Sequence, residues 1–364
     1  MDVRSGVDPS PEERAARLRA AGDPHACLRA ITAGRDLTAT ESRALFETIM
    51  EGQTTPVVIG AILAALRTKG ETVDEIAGAA AVMRAKAERV ETSRSPLVDT
   101  CGTGGDFSGT FNISTTAAFV AAAAGAPVAK HGNRAASSRS GSADVLEALG
   151  VAIDLDPRQV GECVDEVGIG FLFAPRFHPA MRHAIGARRE IAIRTLYNLL
   201  GPLTNPAGAT RQVIGVPTAD TVEPIAAVLE RLGSEHALVV HGREGLDEIS
   251  VAGPTIVATV ADGTISLAEV GPEDLGLDAH PPEAVLGGDA AENARITRAI
   301  LEGRGSEAQS AIVAANAGAA ILVGGRAASL KEGVAVAREV LEGGEAARVL
   351  DRLIDVSERF SRET

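Results

Sequence analysis

The sequence predicts an α/β protein: a mostly parallel central sheet flanked by helices, with a smaller all-helical domain at its N-terminus. Three observations carry this. Before residue 96 the apolar residues recur at helical spacing. From Leu97 onward, short β-branched runs alternate with Ala-rich helical runs, the pattern of strand–helix–strand units. Hydrophobic residues make up 45% of the 364, with 2% aromatics and no Trp, so a sizeable core must be built from Ala, Val, Leu and Ile.

The elements follow in order. Residues 1 to about 24 are polar and are expected to fray. Thr38 to Ser42 gives a helix start, and Leu45, Phe46, Ile49 and Met50 follow at helical spacing. Gly52 to Pro56 is a break. Val57 to Leu66 (VVIGAILAAL) is apolar nearly all round, which predicts a buried helix. Gly70 to Thr72 restarts a third helix that runs through Ala87. Strands are predicted at Val98, Pro127–Ala129, Val151–Ile153, Phe171–Phe173, Val213–Val216, His236–Val240 and Thr255–Ala258, with helices at Ser114–Ala124 and Ser142–Leu149. His183 to Leu200 is helical again and breaks at Gly201 to Pro206. That segment is expected to leave the sheet and rejoin the helical unit. The expected domains are therefore 1–95 joined by about 183–205, and 96–182 together with 206–364.

Charge and cysteine usage narrow the function. The formal net charge is -14, which disfavours nucleic acid and anionic membranes as partners. An anionic substrate would need a local basic pocket or a metal. Cys27, Cys101 and Cys163 are odd in number and lack metal-ligand spacing, so reduced thiols in a cytoplasm are expected. The charged N-terminus has no signal-peptide apolar core. The most apolar stretch, Ala117 to Ala129, carries Gly125 and Pro127 and is too short to span a bilayer.

Two adjacent strand-to-helix loops carry the chemistry. In DTCGTGGDFSGTFNIST (Asp99 to Thr115), Gly102, Gly104 and Gly105 follow a strand and precede a helix starting near Ile113. Consecutive backbone N–H groups there form either an anion nest or a tight turn before a capped helix. Asn112, Ser114 and Thr115 stand where side chains cap the helix or reach a phosphate. The spacing matches neither the P-loop nor the dinucleotide fingerprint. The next loop lies in KHGNRAASSRSGSADVLEALG (Lys130 to Gly150), with Lys130, His131, Arg134 and Arg139 among several serines. One glycine-rich and one cationic loop, both at the carboxyl ends of strands, make a polyphosphate cradle, unless the second is only a solvated basic loop.

Both loops resemble the signature loops of the anthranilate phosphoribosyltransferase family. RREIAIRTLYNLLGPLTNP (Arg188 to Pro206) and HGREGLDEIS (His241 to Ser250) resemble its two later blocks, in the same order, and ETIMEGQTTPVVIGAILAALRTKGETVDEIAGAA resembles its helical opening. The resemblance runs from about Leu37 to the C-terminal region. It implies phosphoribosyl diphosphate at Gly102, Gly105, Asp106, Thr110, Asn112, Ile113, Ser114 and Thr115. It also implies contacts across Lys130, His131, Gly132, Asn133, Arg134, Ala135, Ala136, Ser137 and Ser138, and at Ser142. Anthranilate is implied at Gly102, Asn133 and Arg188, with Arg188 gripping its carboxylate. Magnesium is implied at Ser114, Asp247 and Glu248, although a lone Asp-Glu pair in a loop is ordinarily solvated surface. A homodimer is implied, and an active site between the helical unit and the sheet.

The aromatic amine is neutral near pH 7 with a free lone pair, so no general base is assigned; Asn133 and Arg188 are the positioning residues. Ala192 stands where the family leads one to expect glycine, a small-for-small change expected to leave the site intact. His131 either orients substrate or is a structural loop histidine, Cys101 reads as a small packed residue, and His178 either lines the anthranilate entrance or caps a turn. Two competing readings are a pyrimidine nucleoside phosphorylase and a nucleic-acid-binding relative. The intact loops oppose both, and the charge further opposes the second.

Overall fold

The computed structural model describes residues 21–135 and 139–363, so most of the N-terminal stretch expected to fray lies outside the described residues. The chain divides into two compact units, Met1–Lys86 with Ala180–Tyr197, and Ala87–Pro179 with Asn198–Thr364.

The first unit is helical. Its helices are Pro24–Thr32, Ala39–Met50, Pro56–Lys69, Val73–Lys86 and Arg182–Ile191. Their starts are specified locally. The Asp23 side chain accepts the His25 N–H, Thr38 and Glu41 form a reciprocal capping box, and Pro56 opens its helix. Leu45, Phe46, Ile49, Ile59, Ile62, Leu63 and Leu66 are fully buried. Glu75 is buried with them and stays satisfied, accepting Leu37 N–H at 2.9 Å, Thr72 N–H at 2.9 Å and Lys69 Nζ at 3.0 Å. The Pro56–Lys69 helix is not buried all round as expected. The i, i+3, i+4 face from Ile59 to Leu66 is covered, whereas Val57 in the first turn is 82% exposed.

The expected single helix over His183–Leu200 is two, Arg182–Ile191 and Leu196–Leu203. The first ends at Ala192, whose φ of 49° is left-handed. The helix stop uses a backbone geometry that glycine adopts freely and an L side chain resists, so alanine at this position carries conformational strain.

The second unit holds a seven-stranded sheet in the order β3-β2-β1-β4-β5-β6-β7. The strands are β1 Val98–Thr100, β2 Val128–Gly132, β3 Ile169–Phe173, β4 Arg211–Gly215, β5 His236–Gly242, β6 Thr255–Ala261 and β7 Thr264–Val270. β1 to β5 pair in parallel, and β6 and β7 add antiparallel at one edge. Helices that matter for the site are Ile113–Ala123, Ser142–Ala148, Ala290–Leu301 and Glu307–Val323. The last is Ala-rich and nearly all buried; its Gly318 lets the helix Leu330–Gly343 approach so closely that a Cβ would lie 2.6 Å from the Val334 nitrogen.

Val151–Ile153 is not a strand. Val151 and Ile153 are buried, but the segment runs between two helices, and the Ala152 N–H bonds the Ser357 hydroxyl at 3.1 Å instead of a neighbouring strand. β7 was not anticipated, because most of it is exposed and its core signal is weak. Among the described residues no helix is long and apolar enough to cross a membrane.

Ala192→Gly should raise the unfolding free energy by about 0.5–1 kcal/mol, as relief of the left-handed penalty outweighs added unfolded-state entropy. Urea denaturation measures this; a midpoint that stays or falls would remove the strain at Ala192.

Candidate active site

The sheet order reverses between β1 and β4, and open α/β sheets bind ligands outside the carboxyl ends of strands at such a point. Four segments leave those ends: the glycine-rich loop after β1, Gly215 of β4, the Asp247–Glu248 turn after β5, and the cationic loop after β2.

Bare backbone lets the first three meet. Gly104, Gly105 and Gly109 have φ of 62°, 88° and 70°, so the loop after β1 turns through left-handed conformations. Cys101 N–H to the Val213 carbonyl at 3.1 Å and Thr103 N–H to the Gly215 carbonyl at 2.9 Å tie this loop to β4. A Cβ on Gly102 would lie 2.9 Å from Asp247 Oδ2, and one on Gly215 would overlap the Asp247 carbonyl. The turn is gripped from below by Asn316 of the Glu307–Val323 helix. Asn316 Oδ1 accepts the Ile249 N–H at 2.9 Å, and its Nδ2 donates to the carbonyls of Ile249 at 3.0 Å and Ile312 at 2.9 Å.

The charges gather at this junction. The Ser114 N–H, in the first turn of Ile113–Ala123, donates to Glu248 Oε1 at 3.1 Å, so the carboxylate caps the positive end of that helix. Asp247 N–H lies 3.5 Å from Asp106 Oδ2. Lys130, buried on β2, donates to the Thr100 carbonyl and lies 3.4 Å from Thr100 Oγ1 and 3.5 Å from the Ser114 hydroxyl. Burial, then the Asp106 and Glu248 carboxylates, raise the Asp247 pKa. Burial raises Glu248 to about 7, against the pull of Lys130. Burial lowers Lys130 below its usual value. Three carboxylates face one ammonium, and the electrostatic complement of that set is a cation. Among the described residues no three His, Cys, Asp or Glu side chains form a metal-binding group. The oxygens on offer are sparse carboxylates and one hydroxyl, the ligation magnesium accepts when phosphate supplies the rest. Beside the junction a cavity of about 320 Å³ runs along Asp106, Ser108 and Thr110 to Glu244, Ser250 and Leu286.

The remaining residues fall into place around these. Asn112 does not cap its helix with its side chain. Its Nδ2 donates to the Ser140 carbonyl at 3.2 Å, and its Oδ1 accepts from Asn293 at 2.9 Å. Thr110 bridges Leu286, and Thr115 is buried. In the loop after β2, the Asn133 carbonyl accepts Ala143 N–H at 3.2 Å and the Ser142 hydroxyl at 3.3 Å. A Cβ on Gly132 would overlap that same hydroxyl. Asp144 accepts the N–H groups of Ala135 at 2.9 Å and Gly141 at 2.8 Å. Arg134 is turned onto Asp144 and Glu147, at 3.1 and 2.8 Å, with its guanidinium 5.6 Å from the Phe173 ring centre. Ala136, Ser137 and Ser138 lie outside the described residues.

Below this loop His131 and His178 face each other with ring centres 5.1 Å apart. Burial pushes their pKa values down to about 3 and about 4, so both are neutral. His131 Nδ1 is 3.0 Å from the Gly201 carbonyl, so it carries the proton. Cys101 is a thiol whose pKa is raised by burial, which makes it a poor nucleophile.

Arg188 sits on Arg182–Ile191 in the helical unit. It is half-buried, its guanidinium is 5.1 Å from the Tyr197 ring centre, and it has no ion-pair partner among the described residues. Arg189 beside it is exposed.

Comparison with known proteins shows the family. Residues 94–347 match the glycosyl transferase family, a/b domain, and residues 25–87 match that family's helical bundle domain. The anthranilate phosphoribosyltransferase of Rubrobacter xylanophilus is 55% identical over 92% of this chain and 97% of its own. The chain belongs to the anthranilate phosphoribosyltransferase family. Among solved structures, the anthranilate phosphoribosyltransferase of Thermus thermophilus superposes with a TM-score of 0.87 at 46% identity, covering 91% of this chain and 99% of that one. The Saccharomyces cerevisiae enzyme, solved in complex with PRPP and Mg, gives 0.83 at 26% identity over 92% and 98%.

Set against this anthranilate phosphoribosyltransferase fold, sequence reasoning passed over three supporting residues. Asn316, Asn293 and Asp144 hold respectively the carboxylate turn, Asn112 and the cationic loop. Asn316 carried a signal, a lone polar side chain in the apolar run AIVAANAGAAILV. Asp99 is a further polar group, fully buried. Its Oδ1 accepts the His131 N–H at 3.0 Å, while Oδ2 is buried without a partner.

Burial pushes the Asp99 carboxyl from 3.8 to about 6. The folded chain then holds a proton that the unfolded chain has released, so this contribution is present below about pH 4 and is lost as pH rises through 6. Relative to Asp99→Asn, the native chain should lose about 2–3 kcal/mol of stability between pH 4 and 7. Urea midpoints measured across that range test it; parallel profiles would mean an ordinary carboxylate.

Proposed function

We propose that the chain transfers the phosphoribosyl group of phosphoribosyl diphosphate to the amine of anthranilate, releasing pyrophosphate. The observation that carries this reading is the meeting of a glycine-rich loop, a buried lysine and a carboxylate pair at the sheet's switch point, in a chain more than half identical to a named transferase. Family membership sets aside the phosphorylase and nucleic-acid readings. The two compact units are proposed as the domains of the enzyme, a helical one and an α/β one.

The chemistry makes two demands. The C1–O bond to diphosphate breaks with positive charge growing on the ribose, so the departing oxygens need donors; and the amine must be held in line behind C1. The N–H groups of the Gly102–Gly105 turn, the helix start at Asn112 to Thr115 and Lys130 are proposed as the donors. Asp106 and Thr110, with the loop from Lys130 to Ser138 and Ser142, are proposed to complete the diphosphate and ribose contacts. Lys130 is suited to this because burial and fixed hydrogen bonds hold its ammonium in place. Asn133, exposed at the loop's start, is proposed to reach both substrates, and Gly102 to admit anthranilate close to the backbone.

Magnesium fits the junction of Asp247, Glu248 and Ser114, because it would neutralise the carboxylates that burial and mutual repulsion now disfavour as anions. Bound there it supplies charge neutralisation to a diphosphate. Arg188 is proposed as the anthranilate carboxylate clamp. Its half-buried guanidinium lacks an acidic partner, and Tyr197 flanks one face, leaving the planar fork for a carboxylate. The new N–C1 bond forms from the amine's own lone pair. The amine's neutrality makes an enzymic base unnecessary at that step, and the neutral His131 and His178 are not assigned as one.

A homodimer is also proposed, through the face of the Pro56–Lys69 helix that leaves Val57 exposed. Val57→Glu should yield a monomer by sedimentation; an unchanged mass would place any contact elsewhere.

The decisive assay follows the loss of anthranilate fluorescence with phosphoribosyl diphosphate and magnesium, and loss should require all three. In that assay Arg188→Ala should raise the KM for anthranilate by roughly 10–100-fold with little change for phosphoribosyl diphosphate, since only one substrate loses a charged partner. Asp247→Ala with Glu248→Ala should shift the magnesium titration. Equal KM effects on both substrates would count against the clamp, and an unmoved titration against the carboxylates.

A further inference from the structure

The chain has nine aromatic side chains, eight Phe and one Tyr, and all lie among the described residues. Seven of them are buried and Phe173 is half-buried. Phe107 is the exception, 77% exposed at the tip of the glycine-rich loop. It also breaks a backbone rule. Its φ is 55°, a left-handed geometry that bulky side chains rarely adopt, between Gly105 at 88° and Gly109 at 70°. A glycine at 107 would satisfy the same turn without strain and without an apolar ring in water. A residue that violates two local rules at once, beside a site, points to function there.

Its neighbours say what the ring would cover. Asp106 precedes it and approaches the Asp247 N–H; Ser108 follows and shares a 3.3 Å contact with the Thr110 hydroxyl. The loop on either side is anchored, by Cys101 and Thr103 to β4 and by Gly109 to the Gly287 N–H at 2.9 Å. Movement is therefore confined to the short glycine-flanked tip that carries the ring. From the proposed assignment of this loop to phosphoribosyl diphosphate, on which this inference rests, we infer that Phe107 folds over the bound sugar diphosphate and shields C1 from water. The reaction it suppresses is hydrolysis. Water's oxygen bonds to C1, the C1–O bond to diphosphate breaks, a water proton passes to solvent, and ribose 5-phosphate and pyrophosphate leave. An apolar ring does this without offering a donor or acceptor that would compete for the phosphates.

The absence of tryptophan gives a direct test. In Phe107→Trp the indole is the sole Trp of the chain. Titration with phosphoribosyl diphosphate and magnesium should shift its emission to the blue and reduce acrylamide quenching several-fold. Phe107→Gly removes the ring and relieves the left-handed strain, so it should fold at least as well. In it, pyrophosphate release should outrun anthranilate consumption, with hydrolysis raised roughly tenfold over the native chain. Calorimetry on the native chain separates the two levels of the argument. If phosphoribosyl diphosphate binds while the indole stays water-exposed, or Phe107→Gly keeps pyrophosphate release equal to anthranilate loss, shielding by Phe107 is overturned and the loop assignment stands. If phosphoribosyl diphosphate does not bind at all, the loop assignment fails and the shielding role fails with it.

Discussion

The site depends on one close approach, the Asp247 peptide lying against the bare backbone of Gly215. That contact brings the end of the β5 turn onto the end of β4, and so onto the glycine-rich loop, which bonds β4 through Cys101 and Thr103. Any side chain at 215 would overlap the Asp247 carbonyl. The carboxylates would then move away from Ser114, whose N–H caps Glu248. The neighbouring requirement at Gly102, facing the Asp247 side chain, is the same constraint seen from the other strand. Glycine at these positions is thus a demand for proximity, separate from the left-handed geometry that Gly104 and Gly105 meet.

Proximity creates an electrostatic problem that the fold leaves partly unsolved. Asp106, Asp247 and Glu248 crowd together while Lys130 alone opposes them, and burial shifts both Asp247 and Glu248 toward the protonated form. A structural network would be expected to satisfy its charges internally. Arg134 does so, spending its charge on Asp144 and Glu147. The junction at β5 does not, and Arg188 in the helical unit also lacks an acidic partner among the described residues. The chain is strongly acidic overall, yet the buried Lys130 and the half-buried Arg188 stand at positions proposed to hold an anionic substrate. The excess of carboxylates at the junction is complementary to a metal-bound diphosphate, and the Arg188 guanidinium in the helical unit is complementary to a carboxylate.

How far the sequence revealed this depended on the range of the interactions. Turn and cap signals are local, so the glycine-rich loop, the helix start at Ile113 and the capping box at Thr38 could be read directly. Pairing is not local. Val151 and Ile153 look like a strand because both are buried and β-branched, but no neighbouring strand is there to pair with them. β7 fails in the opposite way. The Asp262-Gly263 pair, with φ of 50° and 68°, is a strong hairpin signal, while the strand beyond it is largely exposed and shows no core stripe. Ala192 shows why size alone misleads: the alanine fits the space, but the position is defined by its dihedral.

The same distinction separates contact residues from those that hold them. Apart from Arg188 on its helix, the residues proposed to touch substrate cluster in two loops and were visible as clusters. Their supports are spread along the chain. Asn316 lies 67 positions from the Ile249 it grips, and Asn293 lies 181 from Asn112. Both are amides in helices, able to donate and accept at once, whereas Asp144 holds the cationic loop only as an acceptor. Rigid supports beneath mobile-looking glycines resolve an apparent conflict. A loop that must admit a diphosphate needs conformational freedom at its tip, while a transition state needs its charges fixed. Here the left-handed turns fall between Gly104 and Gly109, and of the charged groups only Asp106 lies within that span; Lys130, Asp247 and Glu248 stand on other segments.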